Sequence, residues 1–175
     1  MAETDFATLP VGMPGRPTPF LFEVPDQDLK EFRDLVRLSK IGPPTWWNMQ
    51  NDRRFGITRE WLVKGKNAWL DAFDWRKHER RINSFPNFKI ITDQEAGRTS
   101  VHFAALFSTK KDAIPIIFMH SWPGSFIEFL PMTNRLVKKY TPVTLPYHIV
   151  VPSRTVSSAI WIRASRVGVE SLATM

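Results

Sequence analysis

The sequence contains no cysteine, which excludes a disulfide framework, a thiolate metal site and a cysteine nucleophile. It also lacks any run of about 18 uninterrupted apolar residues, so no segment has the pattern of a membrane-spanning helix. The four histidines show no paired ligand spacing, which argues against a metal site. No serine stands in a Gly-x-Ser-x-Gly elbow, the usual signature of a serine hydrolase. We therefore expect neither a metal nor a cofactor.

The composition is that of a soluble globular protein. Hydrophobic residues make up 43% and charged residues 23% of the 175 residues, close to the usual balance and unlike that of a disordered chain. This length allows one domain, or a domain and part of another. The net charge is +7, but the basic pairs are scattered among carboxylates, which favours a solvated surface over nucleic-acid binding. Because the amino terminus lacks the charged and apolar regions of a secretory signal, we expect a cytoplasmic protein.

The first half of the chain has the pattern of a leader followed by helices. Prolines crowd its amino-terminal end, so residues 1–18 are expected to be an extended leader, on the surface or disordered. Asp26, Thr58 and Asp74 stand where they can cap three successive amphipathic helices. Residues 19–86 are therefore predicted to form a helical, tryptophan-rich meander.

The second half changes to the pattern of an α/β sheet. Two short alternating runs around residues 93–99 predict a hairpin or two neighbouring strands. Residues 113–119 are apolar at both odd and even positions, which is typical of a central strand buried on both faces. A helix that opens at a capping box of Ser125 and Glu128 leads to a second buried strand over 147–151. A strand, a helix and a strand in this order predict a right-handed unit with parallel strands.

The chain ends without completing that sheet. Residues 87–153 supply the start of an α/β domain, but residues 154–175 form a divergent tail rich in serine and arginine. A parallel sheet that stops after one crossover cannot cover its own edge or faces. The predicted fold class is thus α/β, a helical meander followed by an incomplete sheet. Its exposed edge offers a surface for self-association.

The most informative segment is the turn that follows the strand over 113–119. His120, Ser121, Trp122 and Pro123 stand between the carboxyl end of this strand and a helix. Ligands bind at such strand ends in open α/β sheets, and backbone amides beside a helix amino terminus stabilise developing negative charge. A plain tight turn that needs proline and glycine explains the same residues as well.

Several separate segments of the chain resemble the amino-terminal part of epoxide hydrolases of the microsomal and juvenile-hormone type. The resemblance runs from about Pro19 to Ser153, with the segments in the family's order and at its distances along the chain. The matching segments are Phe22 to Asp26, Phe73 to Lys77, Ile82 to Pro86, His120 to Phe129 and Ile149 to Ser153.

The resemblance implies a helical meander that precedes and packs on an α/β-hydrolase domain. In the family an aspartate opens a small-molecule epoxide and forms an ester, which an activated water cleaves to give a diol. The turn from His120 to Pro123 corresponds to the family's turn with backbone donors of the oxyanion hole, and Trp122 is the expected amide donor. Trp46 and Trp47 are candidates for lining a substrate tunnel in the meander, although packing explains adjacent tryptophans as well.

Two departures from the family bear on activity. The family has glycine where this chain has Ser121, which puts the geometry of the turn in question if that position needs a positive φ. Nothing after Ser153 resembles the family's nucleophile elbow, its acid, its catalytic histidine or its cap tyrosines. Asp74 resembles the nucleophile only superficially, because it follows a helix and is better explained as a helix cap.

Two hypotheses about function therefore stay open. The first is an amino-terminal portion of an epoxide hydrolase, truncated within its α/β-hydrolase domain and inactive alone. The second is a non-catalytic interaction module that pairs with a full-length hydrolase or with another partner.

Overall fold

The computed structural model describes residues 3–13, 15–52, 54–94 and 97–153. The predicted divergent tail, residues 154–175, lies outside the described residues. The described residues divide into two compact units, 23–79 in one and the others in the second. The domain boundaries expected at residues 18 and 86 stay predictions.

The helical unit owes the start of two of its helices to side-chain caps. The helices are α1 (Asp26–Leu38), α2 (Arg59–Asp71) and α3, which begins in this unit (Trp75–Asn83). Thr58 Oγ1 accepts a hydrogen bond from the Trp61 N–H at 3.2 Å before α2. Asp74 Oδ1 accepts one from the Lys77 N–H at 3.2 Å before α3. Both predicted caps are confirmed, and Asp74 has the contact of a helix cap.

Asp26 does not cap α1, contrary to the expectation. The helix begins at Asp26 itself, after Pro25, and no side chain caps its first turn. The Asp26 carboxylate instead lies 2.5 Å from the guanidinium of Arg76. Arg76 also contacts the buried Glu79 at 2.6 Å, and Glu79 accepts a hydrogen bond from the Val24 N–H at 2.7 Å. This backbone bond is the main cause that lowers the pKa of Glu79. Contacts with α3 therefore fix the start of α1.

The other unit is built on a five-stranded mixed sheet. Its strands are β1 (Thr18–Pro19), β2 (Asn87–Gln94), β3 (Gly97–Leu106), β4 (Ile114–Ile117) and β5 (Tyr147–Pro152). Their order is β1-β2-β3-β5-β4; β4 and β5 are parallel and the other neighbours antiparallel. A 3₁₀ helix (Phe126–Phe129) and α4 (Leu130–Lys139) connect the parallel pair. The predicted hairpin, parallel pair and α/β class are confirmed.

The amino-terminal segment packs more than its prolines suggest. It contains a 3₁₀ helix, Glu3–Ala7, and Phe6 is buried. The Phe6 carbonyl accepts a hydrogen bond from the Phe107 N–H at 3.0 Å, and β1 pairs with β2. The expectation of an extended surface segment is wrong for Glu3–Ala7, which form a 3₁₀ helix with a buried ring.

The core lies on both faces of the central strands. One buried cluster comprises Phe88, Ile90, Phe103, Ala105, Phe107 and Val150. The residues that alternate with these along β3 and β5 are buried as well, namely Ala104, Leu106, Ile149 and Val151. Successive side chains of a strand point to opposite faces. β3 and β5 are therefore covered on both sides.

β4 is not buried on both faces, which corrects the prediction for residues 113–119. It lies at an edge of the described sheet, and Ile114 is 58% exposed. The N–H groups of Ile114 and Phe118 donate to the carbonyls of Pro146 and Val150, on the β5 side. Pro115 therefore stands at the alternate position, where it removes a donor from the outer edge. Apolar residues at both odd and even positions indicated a central strand, but the burial of a strand depends on which elements lie beside it.

The helices are short. α1 and α2 have 13 residues each. Within the described ranges no helix combines the length and the apolar character needed to cross a membrane.

Candidate functional site

The turn after β4 lies at the carboxyl end of that strand, as predicted. The Phe118 N–H donates to the Val150 carbonyl at 2.9 Å, which continues the pairing with β5 up to the turn. Residues 120–125 then leave the sheet, and Phe126 and Leu130 are buried beyond them. The turn is thus held between a strand pair and two buried side chains.

His120 is the buried member of the turn. Its side chain is 7% exposed, and its Nδ1 lies 3.2 Å from the Ser121 carbonyl oxygen. Because a carbonyl oxygen only accepts, this contact places a proton on Nδ1. Ser121 and Trp122 are exposed, and the Trp122–Pro123 peptide bond is cis. The four predicted residues thus form one turn, with the imidazole buried and the indole exposed.

Gly124 is required because two parts of the turn approach closely there. A Cβ at this position would lie 2.7 Å from the Ser121 carbonyl oxygen and 2.5 Å from Oε1 of Glu128. Real Cβ atoms essentially never come so near to other atoms, and the first neighbour is backbone that cannot swing away. The fold of the turn therefore excludes any side chain at residue 124.

Gly124→Ala is expected to lower the free energy of unfolding by about 1–3 kcal/mol, because the backbone must move to admit the methyl group. Gly65→Ala is the matched control, since Gly65 lies within α2 and nothing lies within 4 Å of the position of its Cβ. That change should stabilise the chain by about 0.5–1 kcal/mol. Urea unfolding measures both effects, and effects of the same sign would contradict the close approach.

The predicted capping box does not form. Ser125 precedes the 3₁₀ helix, and its side chain makes no capping hydrogen bond. The Glu128 N–H instead donates to the Ser125 carbonyl at 3.1 Å, the bond of a 3₁₀ turn. α4 begins at Leu130 with Pro131 in its first turn, where a missing N–H breaks no helical bond. Because the Glu128 N–H donates to the Ser125 carbonyl, it does not donate to the Ser125 hydroxyl as a capping box requires.

Trp46 and Trp47 belong to the helical unit and form an exposed aromatic cluster there with Phe55. The two indoles have centroids 4.8 Å apart, and each contacts the Phe55 ring. Trp46 is 60% and Trp47 61% exposed, so neither is a core residue of the described unit. Their role in lining a tunnel stays a prediction.

Metal-ligand spacing does not single out any histidine, yet His102 is buried, as His120 is. The described residues hold no group of three or more His, Asp or Glu side chains that could bind a metal ion. His102 lies in β3 and is 8% exposed. Burial, with a smaller contribution from Lys89, lowers its pKa to about 4. A polar residue flanked by Val101 and Phe103 in an apolar strand is the sequence signal that identifies this group.

Comparison with known proteins identifies the family. Residues 17–129, more than half of the chain, match the family described as "Epoxide hydrolase N terminus". The chain belongs to the epoxide hydrolase N-terminal family. The match includes the aromatic cluster of the helical unit and the turn after β4, and it confirms the resemblance found in the sequence.

Individual epoxide hydrolases match over most of this chain. A putative epoxide hydrolase of Dothistroma septosporum is 42% identical over 151 residues, which are 85% of this chain and 36% of that protein. The solved Aspergillus niger epoxide hydrolase is 50% identical with a TM-score of 0.78, covering 86% of this chain and 38% of that one. The juvenile hormone epoxide hydrolase of the silkworm Bombyx mori, at 20% identity, has a TM-score of 0.62 over 81% of this chain and 36% of that one, a similarity of fold alone.

The chain spans about a third of the length of these epoxide hydrolases. Within that third, its helices and mixed sheet form part of the α/β fold that the solved relatives share.

Proposed function

We propose that the turn of residues 120–125 is the oxyanion-stabilising part of an epoxide hydrolase active site, and that this chain is the amino-terminal portion of such an enzyme. The proposed reaction is the hydrolysis of a small-molecule epoxide to a diol through an aspartyl ester. The observation that carries the proposal is the position of this turn at the carboxyl end of β4, a strand parallel to its neighbour, in a chain of this family.

The proposed oxyanion donor is the Trp122 N–H, and the residues around it keep the backbone in place. The buried His120 ring contacts the Ser121 carbonyl. Gly124 lets the chain return close to the same carbonyl. A donor stabilises a developing oxyanion best when it does not have to reorganise during the reaction. The contacts of His120 and Gly124 hold the backbone on both sides of Trp122, as such a donor requires.

The chain by itself is proposed to be inactive, because no residue in the part of the chain that the structure describes is a candidate for the nucleophile that opens the epoxide. Asp74 is engaged as the cap of α3, and the sequence contains no cysteine. An oxyanion turn stabilises only the charge that a nucleophile's attack generates. Replacing Ser121 by the family's glycine therefore cannot restore activity.

Purified chain is expected to release no diol above the buffer background from an aryl or aliphatic epoxide. Ser121→Gly and Asp74→Asn should give the same result, because neither change supplies or removes a nucleophile. Diol is measured chromatographically after incubation. Turnover that disappears in Asp74→Asn would contradict both the proposed inactivity and the assignment of Asp74 as a cap.

The role of the turn is tested in a chimera, in which the matched residues of this chain replace those of the Aspergillus niger enzyme. Trp122→Pro removes the amide donor, whereas Trp122→Ala removes the indole and keeps the N–H. If the amide stabilises the oxyanion, the proline variant should lose about 10²–10³ in kcat, and the alanine variant should keep most of it. Equal losses in two variants that fold normally by circular dichroism would reject the amide donor.

A second proposed function is a non-catalytic interaction module, and the exposed apolar surface favours it. Among the described residues of 23–79, no apolar side chain is buried. The large exposed ones include Phe32, Leu35, Leu38, Trp61 and Trp69. In the sheet unit, β4 has β5 as its one neighbour among the described strands. Exposed apolar patches and open sheet edges are typical of association sites, with a full-length hydrolase, another protein or a second copy as the partner.

Self-association through the β4 edge predicts a dimer or larger species in size-exclusion chromatography with light scattering. Ile114→Lys should shift the protein to a monomer, because a charge on an edge strand opposes pairing with another strand. Ile91→Lys is the matched control, since Ile91 is 53% exposed but lies on β2, an inner strand. A monomeric parent protein, or equal shifts in both variants, would reject this edge as the interface.

A further inference from the structure

Both ring nitrogens of the buried His102 make hydrogen bonds. Nδ1 lies 2.7 Å from Oγ of Ser153, and Nε2 lies 3.1 Å from Oδ1 of Asn87. The Asn87 amide nitrogen donates to the carbonyls of Ile82 and Phe85 at 2.9 and 2.8 Å, which orients Oδ1 toward the ring. Because this oxygen only accepts, the proton of the neutral ring lies on Nε2, and Nδ1 accepts from the Ser153 hydroxyl.

Ser153 is the first residue after β5. Its N–H also donates to the His102 carbonyl at 2.8 Å, so these two residues are joined by both their backbones and their side chains. β5 is parallel to β4, and parallel strands leave a sheet at the same edge. Ser153 and the turn of residues 120–125 therefore lie at the same end of the two parallel strands.

His102 also contacts the end of that turn through Phe126. The two rings are T-shaped with centroids 5.0 Å apart, and Phe126 is the buried residue that directly follows the turn. Phe20 and Phe22 complete the ring's surroundings, with centroids at 5.3 and 4.7 Å. His102 thus contacts both Ser153, at the end of β5, and Phe126, at the end of the turn that follows β4.

We propose that His102 is a positioning residue, which in its neutral form fixes Ser153 by a hydrogen bond and the turn of residues 120–125 through Phe126. The relevance of His102 to catalysis rests on the proposed function, whereas its contacts with Ser153 and Phe126 do not. A second ring proton would reverse the Ser153 hydrogen bond and place a charge among three phenylalanine rings. Lys89 on β2 is the charged group that acts on the ring; the other packed elements contact it through phenylalanines and the Ser153 hydroxyl.

Nuclear magnetic resonance of the full chain with ¹⁵N-labelled histidine tests the hydrogen bond to Ser153. The His102 ring should show the Nε2–H tautomer near neutral pH. Ser153→Ala removes the donor to Nδ1 and should shift the ring nitrogen signals, while Ser153→Thr keeps a hydroxyl and should restore them. Identical ring signals in the parent and in Ser153→Ala would overturn the proposal.

Hydrogen exchange at the Glu128 amide tests whether the effect reaches the turn, because this N–H donates to the Ser125 carbonyl. Exchange should be about fivefold faster in Ser153→Ala, the usual effect of one lost hydrogen bond. Ser108→Ala is the matched control and should leave it unchanged, since the buried Ser108 hydroxyl donates to the Leu145 carbonyl at 2.6 Å, before β5. Equal acceleration in both variants, or none in Ser153→Ala, would overturn the proposal.

If Ser153→Ala does not fold, the proposal is tested on the parent protein by pH titration. The Glu128 amide signal should then change in step with the His102 ring signals as the pH falls, and independent titration of the two would overturn the proposal. These measurements need no turnover. They can therefore fail while the chimera confirms the oxyanion turn, and they can succeed while the chimera rejects it.

Discussion

Acidification from about pH 7 to about pH 4 is expected to lower the free energy of unfolding by about 3 kcal/mol through His102. Burial lowers the pKa of this group in the folded protein from 6.5 to about 4. The unfolded chain therefore takes up the proton first as the pH falls, and protonation favours unfolding. The stabilisation is fully present above pH 6.5 and is lost progressively as the pH falls from 6.5 through 4.

Substitution of His102 separates its effect from that of the other titrating groups. His102→Gln should show a smaller change in stability between about pH 6.5 and pH 4.5 than the parent protein. His148, whose pKa burial also lowers, acts in the same direction and remains in this variant. His78→Gln is the matched control, because it makes the same substitution at an exposed histidine, and the two variants are compared with the parent protein. Urea unfolding at several pH values measures these slopes; an unchanged slope in His102→Gln would contradict the prediction.

The elements that the sequence predicts correctly depend on residues close together in the chain. Thr58 and Asp74 each cap a helix by accepting a hydrogen bond from an N–H three residues on. The parallel pair of β4 and β5 follows from a helix placed between two apolar runs. Local propensity and spacing contain this information, so no knowledge of tertiary contacts is needed.

The wrong predictions concern residues whose environment distant parts of the chain decide. Asp26 is of a residue type that often caps helices, but its partner Arg76 lies 50 residues away in the sequence. Ile114 has the pattern of a buried strand residue, but its exposure depends on which strands stand beside β4. Phe6 precedes a segment rich in proline, yet it is buried in the core. Sequence spacing does not determine any of these long-range contacts.

The candidate site shows the same limit. The place of the turn at the end of β4 follows from the sequence, whereas its internal support does not. That His120 is buried and that Gly124 approaches the Ser121 carbonyl are consequences of how the chain returns on itself. His102 lies 51 residues from Ser153, and the sheet pairing alone brings the two together.

Phe103→Ala is expected to lower the free energy of unfolding of the sheet unit by about 3–5 kcal/mol, through lost burial and the cavity left behind. Phe103 is 1% exposed, and its ring stacks on Phe88 with centroids 5.5 Å apart. β3 is hydrogen-bonded to strands on both sides, β2 and β5. Because these ladders hold the backbone in place, the neighbouring strands cannot close the cavity by simple collapse.

Phe55→Ala is the matched control, because it removes the same ring from a position that is 43% exposed and should cost less than about 1 kcal/mol. Urea unfolding followed by far-ultraviolet circular dichroism compares the two variants. A domain of this size is stable by about 5–15 kcal/mol, so the loss at Phe103 removes a large part of that margin. Because β3 also carries His102, the same substitution should weaken the support of the turn. Equal costs at Phe55 and Phe103 would mean that the cluster around Phe103 is not the core of the sheet.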